Sequence, residues 1–143
     1  MIASELEKPV IEGKMPIPRR PSGLRPPNTT LKPTPVDRVV KDGDVLSEVM
    51  GGLRVVFTPG HAPGHLAFWQ PTRRILFCGD VIIHAGGLRL PMALATVDMA
   101  EDKRSIKRLA ELDASIVCFG HGGPLTRQAA QAIRDFARRV GAL

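Results

Sequence analysis

Thr58-Pro59-Gly60-His61-Ala62-Pro63-Gly64-His65 follows directly on an apolar, β-branched run, Leu53 to Thr58. Such a run reads as a buried strand, so the octet starts where a strand stops. Two later segments repeat the arrangement: Phe77-Cys78-Gly79-Asp80 and Phe119-Gly120-His121-Gly122-Gly123-Pro124. Each sets a metal-capable residue beside glycine, just past an apolar run. Strand ends converge side chains on one crevice, and glycine lets backbone approach closely. Imidazole and carboxylate together suit zinc, iron or manganese. Taken singly, a histidine beside glycine reads as an ordinary structural residue. Three such segments in this order are far more specific.

Around them the pattern is mixed. Lys41-Asp42-Gly43-Asp44 and Gly51-Gly52 are turns with a short strand between them. Leu66–Trp69 and Ile75–Cys78, joined by Gln70-Pro71-Thr72-Arg73, read as a hairpin, and Ser115–Phe119 as a further strand. Asp98 with Glu101 three residues on reads as a capping box. Ile106, Leu109 and Ala110 then recur at helical spacing. Thr126 is the expected cap of a last helix with the apolar stripe Ile133, Phe136, Ala137 and Val140, stopped by Gly141. Strands alternating with helices imply an α/β or α+β class with helices laid on a sheet.

Residues 1–36 differ: eight of the 13 prolines, Pro9, Pro16, Pro18, Pro21, Pro26, Pro27, Pro33 and Pro35, fall there. Proline removes a donor and restricts its neighbour, so this segment reads as an extended arm or a connection. Residues 37–143 form the folded part. With 43% hydrophobic and 24% charged residues in 143, the chain is globular rather than disordered. No apolar run approaches the roughly 18 residues a membrane helix needs. The acidic start, Met1 to Glu7, lacks a signal-peptide layout, and Arg19-Arg20 leads into prolines rather than an apolar stretch. Two cysteines make no disulfide framework, so the expectation is a cytoplasmic protein. Lys and Arg outnumber Asp and Glu by 20 to 14, a net charge of +6. They are scattered, and the densest group, Lys103-Arg104 to Lys107-Arg108, lies on a helix with acids nearby. That distribution reads as a solvated surface, and no nucleic-acid partner is expected.

The three segments, in their order, resemble the metallo-β-lactamase superfamily, in particular its glyoxalase II-like hydrolases. The similarity runs from about Asp37 to the C-terminus, and Glu5-Leu6-Glu7-Lys8-Pro9 also resembles a mid-domain stretch of such enzymes. The resemblance implies an αβ/βα sandwich with a metal site, commonly two zinc ions, at one edge of the sheets. It implies that His61 ligates one metal, Asp80 bridges the two, and His121 ligates the other. A water or hydroxide between the metals would be the nucleophile toward a small-molecule thioester, lactone or related ester. Iron or manganese could replace zinc. His65 is expected to steady the site from behind rather than to ligate. His84 is expected either to face the substrate cleft or to be an ordinary loop residue. Cys78 and Cys118 read as buried apolar side chains and Trp69 as core.

The family's most diagnostic motif, H-x-H-x-D-H, is absent, since the histidines are His61, His65, His84 and His121. The resemblance therefore covers the C-terminal half of a family domain. A truncated gene or a misplaced start codon would give such a chain. Three donors are too few to close two metal shells, so weak metal binding and poor hydrolysis are expected. An uncovered apolar sheet face is expected to drive self-association or pairing with a complementing chain. The alternative to a hydrolase is a non-catalytic module of the same fold that works through such assembly.

Overall fold

A computed structural model describes residues 1–19, 21 and 32–143. Pro26 and Pro27 of the proline-rich segment, and Arg20, lie outside the described residues. The elements run β1 (Ile2–Ser4), α1 (Lys8–Ile11), β2 (Arg38–Val40), β3 (Val45–Leu46), β4 (Leu53–Phe57), β5 (Leu66–Gln70), β6 (Ile75–Gly79), β7 (Ile83–His84), β8 (Leu88–Arg89), α2 (Met99–Ala110), β9 (Ile116–Phe119) and α3 (Ala129–Arg139).

The main sheet has the order β3-β4-β5-β6-β9. Strands β3 to β6 form antiparallel neighbours, as the turn residues between them require, and β9 joins β6 in parallel after the α2 crossover. Alternate residues serve opposite faces. Val56, Ala67, Leu76, Cys78 and Val117 meet Ile106, Leu109 and Ala110 of α2 and Ile133, Phe136 and Ala137 of α3 in the larger core. Leu53, Val55, Leu66, Phe68 and Phe77 gather on the other face with Leu46 and with Val40 of β2. The strand β2 thus opens a second layer, paired in parallel with β1. Trp69 packs against the larger core, and Cys78 is wholly buried, its thiol pushed up to about 12 by desolvation. Cys118 is only half-buried.

Two helix starts differ from their sequence reading. Asp98 caps α2 by accepting from Ala100 N and Glu101 N, but Glu101 turns outward to Arg104 instead of reaching back. The Asp98 amide already donates to Gly60 O at 2.9 Å, so no orphan donor remains for it to satisfy. Thr126 does not cap α3. Gln128 occupies the N-cap in the left-handed region at φ 49, with no side-chain cap bond. Gly141 does end α3, at φ 69. Residues 2–4 and 8–11 are also regular, although prolines punctuate that stretch.

Candidate metal centre

The three glycine-flanked segments converge. His61 follows β4, Asp80 follows β6 and His121 follows β9, and these strands end at one edge of the sheet. Asp80 Oδ2 lies 3.8 Å from His61 Nε2, and Asp80 Oδ1 lies 3.6 Å from His121 Nε2. One carboxylate therefore stands between two imidazoles, an oxygen turned to each. Oδ1 is buried without a hydrogen-bond partner. A Cβ on Gly120 would sit 2.0 Å from that oxygen, so glycine is what lets β9's loop pass over Asp80. The His121 side chain is 72% exposed and that of His61 23%, so the pair opens to solvent on one side.

Other side chains set the ligand candidates. Thr96, 1% exposed, donates its Oγ1 hydrogen to Met92 O at 3.0 Å and stands 3.4 Å from His61 Nδ1. With that oxygen as acceptor, His61 carries its proton on Nδ1 and its lone pair on Nε2, the atom nearest Asp80. His65 Nε2 accepts the Asp80 amide at 3.2 Å, which puts its proton on Nδ1, toward Thr58 Oγ1 at 2.8 Å. His65 thus braces β4 against the Asp80 turn with both nitrogens engaged. His84 Nδ1 donates to Gly123 O at 2.6 Å and its amide to His121 O at 3.1 Å. It stitches the His121 loop to β7. From the N-terminus, Ser4 Oγ donates to Gly64 O at 2.7 Å, and Glu7 Oε1 accepts Gly64 N at 2.8 Å, clasping the His61–His65 turn.

Thr96, Ser4, Glu7 and Asp102 carry no sequence signal for this place. Each lies outside the three glycine-flanked segments, and only the fold brings it here. At His61 Nδ1 the acceptor is the Thr96 hydroxyl.

Burial lowers the His65 pKa from 6.5 to about 4, with the neighbouring His61 acting in the same direction. A histidine with a lower pKa in the folded state adds stability above pH 6.5 and loses it as pH falls toward 4. Asp102, held up to about 7 by burial, acts in the opposite direction over an overlapping range. Comparing wild type with His65→Gln cancels the Asp102 contribution. The expected result is that acidification from pH 7 to 4.5 destabilises wild type more than the variant, by up to about 3 kcal/mol. Urea midpoints across that range check it, and parallel pH profiles would contradict it.

The donor set fits divalent metal. Zinc–nitrogen and zinc–oxygen bonds of about 2.0–2.2 Å allow two ligands of one ion to stand up to roughly 4.2 Å apart, and both gaps to Asp80 are shorter. Among the described residues, no group of three or more His, Cys, Asp or Glu side chains could hold an ion by itself. The fit is therefore that of a shared carboxylate with one imidazole on either side.

The profile of the Metallo-beta-lactamase superfamily matches residues 2–121. The chain belongs to the metallo-beta-lactamase superfamily. Hydroxyacylglutathione hydrolase of Rhodospirillum rubrum is 37% identical over 87 residues, covering 60% of this chain and 32% of that enzyme. An atrochrysone carboxyl ACP thioesterase of Aspergillus fumigatus is 27% identical over 118 residues, covering 81% of this chain and 36% of the enzyme. A metallo-beta-lactamase family protein from Thermus thermophilus superposes with TM-score 0.63 at 25% identity, over 99% of this chain and 52% of its own. A protein solved in a di-iron-bound form superposes with TM-score 0.61 at 30% identity, over 87% of this chain and 58% of its own. The chain thus spans about a third of the curated relatives it matches and about half of the solved ones. Among the described residues, no helix is long and apolar enough to cross a membrane.

Proposed function

We propose that the chain carries the C-terminal part of a metal-dependent hydrolase site acting on a thioester, lactone or related ester. His61, Asp80 and His121 are its metal ligands. The observation that carries this reading is the Asp80 carboxylate, each oxygen within 4 Å of a different imidazole and Oδ1 buried without a hydrogen-bond partner. A buried, unsatisfied carboxylate oxygen is costly, and a cation at that place removes the cost. The names of the hydroxyacylglutathione hydrolase and the thioesterase support a thioester substrate.

Each residue has its part. His61 presents Nε2 because Thr96 takes its other nitrogen, and Asp80 is held by His65 through its amide. His121 rides on a loop tied down by His84. Zinc, iron or manganese, when bound, supplies Lewis acidity toward a carbonyl oxygen and toward water. These three side chains leave further ligand positions to be filled from outside the described residues.

That shortage favours a second reading, a module that completes its site, or only its fold, by assembling with itself or with another chain. One titration separates the two. Purified chain is loaded with zinc, iron(II) or manganese(II), and its metal content, sedimentation and hydrolysis of a thioester and a lactone are measured. Metal retained at about one ion or more per chain, with metal-dependent cleavage, supports the hydrolase. Assembly without metal or turnover supports the module and overturns the hydrolase reading.

A further inference from the structure

We infer that Glu7 and Ser4, from the N-terminal segment, are positioning residues for the candidate metal centre. Their side chains hold the Gly64 backbone and so fix His65, the residue on which the Asp80 turn rests. Only the last link, from Asp80 to metal, depends on the ligand role proposed above.

Residues Gly60 to His65 lie between β4 and β5, outside any strand, so their polar backbone groups need partners elsewhere. The first half of this turn is tied to the stretch leading into α2. Gly60 O accepts from Asp98 N at 2.9 Å and His61 O from Val97 N at 3.3 Å. The second half is tied to the opposite end of the chain. Gly64 N donates to Glu7 Oε1 at 2.8 Å, and Gly64 O accepts from Ser4 Oγ at 2.7 Å. Glu7 N donates in turn to Ser4 Oγ at 3.3 Å, so the two side chains act as one unit. That unit is anchored, because β1 is paired with β2 through Ser4 and Val40.

Local structure does not explain either side chain. Glu7 stands at the N-cap of α1, yet its carboxylate makes no cap bond and reaches Gly64 instead. A carboxylate accepting from an amide makes a stronger bond than a neutral acceptor does. Ser4 is 4% exposed, where an alanine would pack without desolvating a hydroxyl. The approach is also close. A Cβ on Gly64 would collide with Ser4 Oγ and stand 2.7 Å from Glu7 Cγ. One residue on, the His65 imidazole is equally confined, since a Cβ on Gly79 would lie 2.5 Å from its Nε2. That nitrogen accepts the Asp80 amide at 3.2 Å. Close packing at both ends gives a shift at Gly64 a direct route to Asp80.

Amide hydrogen exchange by NMR on the metal-free chain tests the clasp. Glu7→Ala is expected to raise exchange at Gly64 and at Asp80 about tenfold or more and to move the His65 imidazole resonances. The Leu76 and Leu109 amides, in β6 and α2, should keep wild-type protection. Glu7→Gln retains an oxygen acceptor and should hold both rates within about threefold of wild type. Ser4→Ala removes the other bond to Gly64 and should also raise Asp80 exchange, which decides the matter should Glu7→Ala lose its fold. Unchanged Gly64 exchange in Glu7→Ala overturns the inference, as does a glutamine variant that behaves like alanine. Raised Gly64 exchange with an unchanged Asp80 amide overturns it too, because Thr58 then holds His65 unaided. Zinc affinity, read by competition with a chromophoric chelator, should fall about fivefold in Glu7→Ala and less than about twofold in Glu7→Gln. Unchanged affinity beside a loosened Asp80 amide overturns the link to the metal. A wild-type chain that binds no zinc overturns the ligand role of Asp80, and the exchange comparison still decides the role of Glu7 and Ser4.

Discussion

Asp80→Ala is expected to lower zinc affinity by about a hundredfold or more while leaving the fold intact. Loss of a group that only orients a ligand commonly costs 10–100-fold in metal affinity, and Asp80 is proposed as a ligand shared by two sites. Its two oxygens face His61 and His121 separately, so one substitution removes a donor from both sides. His121→Ala removes a donor from one side only and is expected to weaken binding less. The fold should stand because Oδ1 is buried with no hydrogen-bond partner, so its removal relieves a desolvation cost. The turn itself is held through the Asp80 amide on His65 Nε2, which alanine preserves. Chelator competition and thermal unfolding of the metal-free chain measure the two halves of this expectation. Equal zinc affinity in Asp80→Ala and wild type would remove Asp80 from the site.

The ligand candidates were legible because each carries a local sign: an apolar run, a glycine and a metal-capable side chain within a few residues. The strands were legible for the same reason, since the apolar runs in Leu53–Phe57 and Leu66–Gln70 are local. What holds the ligands was not. The β1–β2 pair joins Ile2 to Arg38 across the proline-rich segment, and three-residue strands leave no periodic trace. Thr96 reaches His61 across 35 positions, and Ser4 reaches Gly64 across 60. Asp102 reads as part of a polar helix face, yet α2 lays that turn against the Pro59–His61 loop and buries it. The α3 start shows a limit even of local chemistry. Thr126 is a good cap by residue type, but left-handed Gln128 sets the helix start two residues later, out of its reach.

Phe136→Ala is expected to cost about 3–5 kcal/mol, a large part of the roughly 5–15 kcal/mol that holds a domain of this kind together. Phe136 is 2% exposed and among the largest fully buried side chains, at the centre of the α3 stripe with Ile133 and Ala137. A cavity there cannot refill easily, because its neighbours sit on a β-sheet and on α2, two elements fixed by their own hydrogen bonds. The consequences extend toward the candidate metal centre. The Arg139 guanidinium lies 5.3 Å from the Phe136 ring centroid and donates to Leu88 O at 2.7 Å, which ties α3 to β8. Strand β8 pairs with β7, whose His84 secures the His121 loop through Gly123 O. Loss of the ring should therefore lower the unfolding midpoint and also raise amide exchange around His121 before global unfolding sets in. Phe136→Leu keeps most of the apolar volume and should cost ~1–2 kcal/mol. Urea unfolding gives the energies and native-state exchange gives the coupling. A His121 loop equally protected in Phe136→Ala and wild type would show that α3 supports the core alone, with β7 and β8 able to hold that loop unaided.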